Sequence, residues 1–316
     1  MNKDKIIIRE LTAAGVRLDV TLPEESAAEF DAIVKNTLNF VPNVQSYNHA
    51  KVFCADLNRG PNTIVLEDEK LEVSESASSA QLGRDAADIA SRLMEKAMNK
   101  VGIFSVHGAC VSFGRDAILL VGESGSGKTT AALNMCIKDH DISFVTGNRT
   151  LTSGNSVVGG VLSVNVRIGS IIGELKGLIS EEVERKLLVP GRSWEDRIYL
   201  PPESLNIKIN GNYPLNLTAI AVVKKLPNNL SAEFCDVGDR NAIYQLYDDV
   251  SRWADRKPYA AGSLMHYPEL FNLEDKQHRL SQIMAMLDGT KFLYVNGRLD
   301  DITDYLIKLL RDKQLE

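Results

Sequence analysis

One segment of the chain combines glycines, a lysine and hydroxyl side chains at a spacing that binds phosphate. It reads Gly122-Glu123-Ser124-Gly125-Ser126-Gly127-Lys128-Thr129 and is followed by Thr130. The segment satisfies the pattern G-x-x-x-x-G-K-[ST], in which glycines let backbone N–H groups surround phosphate oxygens. The pattern predicts that Lys128 reaches the β- and γ-phosphates of a nucleoside triphosphate and that Thr129 ligates Mg²⁺. Residues 122–130 are therefore the candidate nucleotide site, with ATP or another nucleoside triphosphate and Mg²⁺ as the expected cofactors.

A phosphate-binding loop of this kind needs a buried strand before it and a helix after it, and the sequence predicts both. Ile118-Leu119-Leu120-Val121 is an apolar run that predicts a strand ending at the loop. Residues 129–136 read as a helix, whose N-terminus places the positive end of its dipole at the loop. Because strand, loop and helix occur in the required order, a chance glycine-rich turn is the weaker interpretation.

The rest of the sequence is rich in predicted strands. Two apolar runs, residues 103–113 and 117–122, are separated by Gly114-Arg115-Asp116, which predicts a turn between two buried strands. Strand-like stretches dominate again as far as Val223, and helical spacing returns towards the C-terminus. Strand-like runs at residues 5–9 and 16–22 predict a hairpin, and helical spacing follows from Glu24 to about Leu38 and again over residues 83–100. We predict a small N-terminal α+β region over residues 1–82 and a P-loop nucleotide-binding domain over residues 83–316.

Composition and charge indicate a globular chain without an extended basic surface. The chain has 316 residues, 44% of them hydrophobic, which is enough to form a sizeable core, and its net charge of −6 argues against a nucleic acid or a membrane as partner. The four cysteines lie far apart with no C-x-x-C pair, which predicts reduced thiols, mostly in the core. The apolar run within residues 1–9 is too short for a signal peptide, and we predict a cytoplasmic location.

The residues that precede the loop resemble the HPr kinase family and its relatives, the kinase-like proteins of peptide natural-product clusters. The resemblance is carried by the string Phe104-Ser105-Val106-His107-Gly108-Ala109-Cys110-Val111, by the hairpin that follows, and by Glu123. In that family a His-Gly pair begins a strand, and an acidic residue follows the first glycine of the loop. The resemblance implies an α/β fold with an α+β tendency, in which residues 83–316 form an HPr kinase or phosphoenolpyruvate carboxykinase-like P-loop core with a strand-rich sheet and flanking helices.

The chain departs from the family where the family carries Asp-Asp or Asn-Asp, often followed by Arg. Gly147 and Asn148 stand there, followed by Arg149. The second acid is the family's candidate base and metal partner, and an amide cannot serve as a general base. Asn148 is therefore a candidate to orient an acceptor, His107 to orient it or to hold phosphate, and Arg149 to pair with the γ-phosphate. Together with Lys128 these three residues form the predicted catalytic set, although each also has an ordinary structural interpretation.

Three further features could serve the same chemistry. Asp141 opens a predicted strand and could replace the missing acid, although a residue in that position is more often a cap. Arg167 is a second cationic candidate for the γ-phosphate or for a substrate anion. The stretch Gly191-Arg192-Ser193-Trp194-Glu195-Asp196-Arg197 combines two arginines and an aromatic residue, a composition suited to an acceptor-binding or closing loop.

The sequence thus predicts an ATP-dependent kinase that transfers the γ-phosphate to a hydroxyl of a small molecule or a peptide. The alternative is a nucleotide-binding regulatory or structural protein of the same fold without kinase activity. A regulator of sugar uptake that phosphorylates a carrier protein is a weaker interpretation, because the second acid is absent. A transport ATPase is weaker still, because the sequence has no L-S-G-G-Q signature and no apolar run that ends in Asp-Glu. The acceptor, the preferred base and the oligomeric state, a homo-oligomer included, stay open.

Overall fold

The structure, a computed structural model, describes residues 5–13, 16–38, 40–41, 52–59, 63–67, 70–75, 78–181, 184–185, 193–226, 230–255 and 269–313. Within these residues the α-helices are α1 (Ala27–Thr37), α2 (Ser79–Lys100), α3 (Lys128–Lys138), α4 (Ile168–Ile172), α5 (Asp239–Asp255), α6 (Leu273–Leu287) and α7 (Leu299–Asp312). None of the helices in the described ranges is long and apolar enough to span a membrane.

The described strands mostly occur in runs of two to four, separated by these helices. They are β1 (Ile6–Ala13), β2 (Val16–Pro23), β3 (Phe40–Val41), β4 (Val52–Arg59), β5 (Thr63–Glu67), β6 (Lys70–Glu75), β7 (Phe104–His107), β8 (Ala109–Phe113), β9 (Asp116–Val121), β10 (Ile142–Thr146), β11 (Arg149–Ser153), β12 (Ser156–Val161), β13 (Val164–Arg167), β14 (Arg197–Leu200), β15 (Leu215–Lys225), β16 (Glu233–Asp236) and β17 (Lys291–Gly297). The chain is therefore of the mixed α/β class that the sequence predicts.

The chain forms two compact units. The first comprises Met1–Phe104 with Tyr247–Gln282, and the second Ser105–Leu246 with Ile283–Glu316. The boundary predicted between residues 82 and 83 lies inside α2, a helix that belongs wholly to the first unit. Helix α2 begins earlier than its apolar spacing indicates because Ser78 and Gln81 form a capping box, in which each side chain bonds the backbone of the other.

The first unit contains a five-stranded sheet in the order β1-β2-β4-β6-β5. Strands β1 and β2 pair antiparallel, with Ile6 opposite Pro23 and Ala13 opposite Val16, so the predicted N-terminal hairpin is confirmed. Strand β2 buries Val16 and every second residue after it, as expected for a strand with one face on a core. The predicted helix after this hairpin is α1, which follows a 3₁₀ turn at Glu24–Ser26.

The second unit is built on a large mixed sheet. One path through it runs β10-β8-β9-β15-β12-β11-β7, and β17 pairs with β15 and carries β16 on its other side. Strand β15 is the centre, because β9 and β17 both pair with it in parallel. Helices α3 and α7 pack on this sheet around a core that includes Leu120, Leu133 and Leu306, each fully buried.

The apolar run at residues 103–113, interpreted from its sequence as one buried strand, is two strands. Strand β7 lies beside β11, whereas β8 lies between β10 and β9. The chain must therefore change neighbours within the run, and it does so at Gly108, whose N–H donates to the carbonyl oxygen of Asn148 at 3.1 Å. Apolar character alone could not reveal this break, because both strands are buried.

The cysteines agree with the predicted reduced state where the structure describes them. Cys110 and Cys136 are buried and Cys235 is exposed, and all three are free. Burial raises the pKa of the Cys110 and Cys136 thiols, which keeps them protonated and unreactive. The side chain of Cys54 lies outside the described part of the chain.

Candidate functional site

Three strands of the large sheet end at the same edge. Strand β8 runs antiparallel to both β10 and β9, so β10 and β9 point in the same direction. Strand β15 runs parallel to β9, with Val222 opposite Val121. The residues that follow these strands therefore meet beyond their carboxyl ends, which is where open α/β sheets bind their ligands.

The predicted phosphate-binding loop follows β9 at this edge. Gly127 adopts φ of +100°, a left-handed conformation that favours glycine, and a Cβ there would stand 3.0 Å from the Cβ of Lys225. The backbone N–H of Lys225 donates to the carbonyl oxygen of Ser126 at 2.8 Å. The end of β15 therefore lies directly against the loop. Helix α3 begins with Lys128, immediately after Gly127.

Lys128 is held by the loop itself. Its ammonium donates to the carbonyl oxygens of Gly122 and Glu123, at 2.9 Å and 2.8 Å. The residue is 7% exposed, so the charge is withdrawn from bulk solvent but lies beside the cavity.

A cavity of about 320 Å³ opens where the three strands end, within the range of small-molecule sites. The predicted site residues that line it are His107, Ser124, Gly125, Gly127, Lys128, Thr129, Thr130 and Asn148. Gly122, Glu123 and Ser126 are absent from the described lining and contribute the carbonyl oxygens noted above. Arg149 is also absent from that lining, since it is buried in β11 and is only 8% exposed.

His107 and Asn148 come together although they are distant in the sequence. Strand β7 ends at His107, and the bond from Gly108 N–H to the Asn148 carbonyl oxygen holds that end beside the turn after β10. The hydroxyl of Thr129 donates to the carbonyl oxygen of Gly147 at 3.3 Å, which ties the same turn to the start of α3. The structure therefore brings His107 and Asn148 to the phosphate-binding loop.

The packing around Gly147 explains why no acid stands there. A Cβ at Gly147 would lie 2.5 Å from the carbonyl oxygen of Ser163, closer than real Cβ atoms approach any atom. The Gly147 N–H also donates to the carbonyl oxygen of Val161 at 2.9 Å, so the backbone is held in this position. A side chain at residue 147 is excluded by close approach of the backbone, whatever its chemistry.

We expect Gly147→Ala to destabilise the chain by about 1–3 kcal/mol, because the backbone must shift to relieve the contact with Ser163. Denaturant unfolding of parent and variant measures the change. Gly211→Ala is the matched control, since no described atom lies within 4 Å of the added Cβ, and its effect should stay within about 0.5 kcal/mol. Equal stability of the Gly147 and Gly211 variants would contradict this interpretation.

The cavity carries a strong excess of positive charge. Its described lining includes Lys128, Arg167, Arg197 and Lys225, and no Asp or Glu is among the described residues that line it. Glu174 pairs with Lys225, and Glu195 pairs with Arg167 at 2.9 Å, but both carboxylates stand outside that lining. A chain with net charge −6 thus concentrates cations at one site, as expected for a polyanionic ligand.

Sequence reasoning missed Lys225 and Asn165, which also line the cavity. Lys225 ends a long apolar strand that is parallel to β9, and a charged residue at the end of such a strand is a usable signal.

Asp141, the predicted replacement acid, stands at the other end of β10 and pairs with Arg311 at 3.3 Å. In the proposed closing loop, Ser193–Arg197 are described, whereas Gly191 and Arg192 lie outside the described residues.

The fit of the site to Mg²⁺ rests on Thr129. Thr129 lines the cavity at the start of α3, and its hydroxyl would be the protein's ligand to Mg²⁺ beside a bound nucleotide. The described residues contain no group of three or more His, Cys, Asp or Glu side chains that could hold a metal by themselves. Mg²⁺ commonly keeps several waters and takes its other ligands from phosphates, so one hydroxyl is compatible with its binding.

Comparison with known proteins adds no family assignment. No protein-family model matches the sequence, and a comparison with curated proteins finds no match either.

Proposed function

We propose that the chain binds a nucleoside triphosphate with Mg²⁺ at the loop formed by residues 122–130. The observation that carries the proposal is the convergence at one cavity of this loop, the N-terminus of α3 and four basic side chains, with no carboxylate in the described lining. Backbone N–H groups and a helix N-terminus bind phosphate, and Lys128 at the start of α3 neutralises part of its charge. Thr129 and the phosphate oxygens would hold the metal, which supplies charge neutralisation.

We further propose that the bound nucleotide donates its γ-phosphate to a hydroxyl of a small molecule or peptide. A bond forms between the hydroxyl oxygen and the γ-phosphorus, the bond to the β–γ bridging oxygen breaks, and the nucleoside diphosphate leaves with that electron pair. The hydroxyl proton passes to a neutral His107 imidazole, and Asn148 orients the hydroxyl. The position of both side chains at the cavity supports these roles. The likeness of the His107-Gly108 pair and the loop to HPr kinases supports a P-loop core of that kind.

One observation favours a second candidate, a nucleotide-binding protein that does not transfer phosphate. No acid is among the described residues that line the cavity, and packing excludes a side chain at Gly147. A site with many cations and no carboxylate binds a polyanion well but has only His107 to accept a proton.

Two measurements separate these candidates. Titration with a non-hydrolysable ATP analogue and Mg²⁺ tests binding, and absence of binding would overturn both. Incubation with ATP labelled at the γ-phosphate and a set of hydroxyl compounds then tests transfer. Label on any acceptor supports the kinase, whereas tight binding without labelled acceptor or released phosphate supports the binding protein.

A further inference from the structure

Part of the cavity wall is formed by a separate two-stranded sheet. Strands β13 and β14 pair antiparallel, with Arg167 opposite Arg197 and Asn165 opposite Tyr199. Alternate residues of a strand point to opposite faces, so these four side chains share one face. The other face carries Val164 and its apolar neighbours and packs into the core.

The two arginines on this face differ in their partners. Arg167 donates to Glu195 at 2.9 Å, an ion pair between side chains that are 48% and 74% exposed. The guanidinium of Arg197, an exposed residue that lines the cavity, forms no hydrogen bond or ion pair within the described part of the chain. An arginine facing a polar cavity without a carboxylate partner leaves its planar set of N–H donors open to a ligand.

After the guanidinium of Arg197, the side-chain amide of Asn165 is the second group on this face that lacks a partner among the described residues. Its Oδ1 atom is buried and has no hydrogen-bond partner in the part of the chain that is described. A buried acceptor without a donor is costly, and because Asn165 lines the cavity, turning its amide towards the cavity would let a ligand O–H or N–H group satisfy this oxygen. The face therefore presents guanidinium donors for an anion beside a carbonyl acceptor for a hydroxyl.

This face also lies close to the phosphate-binding loop. The Nη2 atom of Arg167 stands 3.9 Å from the position that a Cβ on Gly125 would occupy. An anion held between Arg167 and Arg197 would thus be adjacent to the phosphates of a nucleotide on the loop. The nucleotide phosphates have their own partners there, namely the loop amides, the start of α3 and Lys128.

We propose that the Arg167–Arg197 pair is the acceptor subsite and that the acceptor is a small hydroxylated anion. The two guanidinium groups bind its phosphate or carboxylate, and Asn165 Oδ1 accepts a hydrogen bond from one of its hydroxyls. This inference rests on the proposed function, since a nucleotide on the loop gives the subsite its use. It narrows the acceptor from any hydroxyl compound to one that carries a negative charge.

The test is a titration of three probes into protein saturated with Mg²⁺ and a non-hydrolysable ATP analogue. The analogue fills the γ-phosphate position. Glycerol 3-phosphate carries a phosphate and hydroxyls, glycerate carries a carboxylate and hydroxyls, and glycerol is the neutral control. We expect one or both anions to bind and glycerol not to bind. The anion that binds more tightly shows whether the subsite prefers a phosphate or a carboxylate. Failure of both anions to bind overturns the proposal.

Two substitutions should change anion affinity in opposite directions. Arg197→Gln should weaken anion binding at least about tenfold, the effect of losing a charge-assisted contact, while the affinity for the ATP analogue changes less than about twofold. Glu195→Gln removes the competing partner of Arg167 and should tighten anion binding roughly two- to fivefold, the range expected for an exposed ion pair. A gain in affinity cannot arise from misfolding. Arg115→Gln, an equal charge change at an exposed turn outside the described lining, should have no effect.

The outcomes distinguish this inference from the proposed function. If Arg197→Gln weakens the ATP analogue as much as the anion, Arg197 serves the nucleotide and the acceptor subsite is overturned. If the ATP analogue does not bind the parent, the proposed function fails. In that case the anions are titrated into nucleotide-free protein. Binding that is lost in Arg197→Gln but kept in Lys128→Ala would still establish the arginine pair as an anion site.

Discussion

Replacing Lys128 with alanine is expected to remove the stabilisation that ATP and Mg²⁺ give the parent chain. A ligand present at 100 times its Kd stabilises a native protein by about 2.7 kcal/mol, and weaker binding lowers this gain. Lys128 contributes the ammonium that lies against the carbonyl oxygens of the loop, and no other lysine stands at the start of α3. Thermal unfolding with and without ATP and Mg²⁺ measures the effect as the difference in Tm for each protein.

Lys138 supplies the matched control for this experiment, because it ends the same helix. Its ammonium pairs with Asp300 at 2.7 Å and with Asp304 at 2.9 Å, and it is outside the described lining of the cavity. Lys138→Ala should lower the Tm of the free protein slightly and keep the full shift caused by the nucleotide. A full shift in Lys128→Ala would contradict the assignment of residues 122–130 as the nucleotide site.

His107→Ala should reduce phosphate transfer more than Asn148→Ala. Loss of a proton acceptor costs about 10²–10⁴-fold in rate, whereas loss of a group that only orients the acceptor should cost about 10–100-fold. Both variants should bind the nucleotide nearly as tightly as the parent, because the loop and Lys128 are unchanged. Single-turnover consumption of γ-labelled ATP, with an acceptor found by the labelling screen, measures these rates.

His140 is the control for the histidine substitution, since it is exposed and lies beyond the end of α3. His140→Ala should transfer phosphate at the parent rate. Rapid transfer by the parent with no loss in His107→Ala or Asn148→Ala would contradict the proposed catalytic roles. If the parent only binds nucleotide, Asn148→Asp should produce slow hydrolysis by placing an acid at the cavity.

A family resemblance shows where the acids are missing but does not explain why they are missing. The resemblance locates the departure at Gly147 and Asn148, and sequence alone gives no reason for it. The carbonyl oxygen of Ser163 supplies the reason at Gly147, because it occupies the space of a side chain. Asn148 carries a side chain that lines the cavity, so it is the position at which an acid could be introduced.

The sequence by itself determined the strand, loop and helix around residues 122–130, because the three are consecutive and each depends on local spacing. Strand β9, the loop and helix α3 follow in the predicted order, with α3 starting at Lys128. The N-terminal hairpin was predictable for the same reason, since its two strands are neighbours in the chain.

Only the tertiary structure decided which distant residues complete the site. Asn148 and Lys225 reach one cavity because β10 and β15 run parallel to β9. His107 is held there by the bond from Gly108 N–H to Asn148, and Arg197 by the pairing of β14 with β13. Strand order and direction depend on contacts between residues far apart in the chain, which local periodicity does not encode. Pairing between distant strands also divides the apolar run at residues 103–113 into β7 and β8. The sequence does not show this division, because a buried strand has the same apolar pattern whichever strand it pairs with.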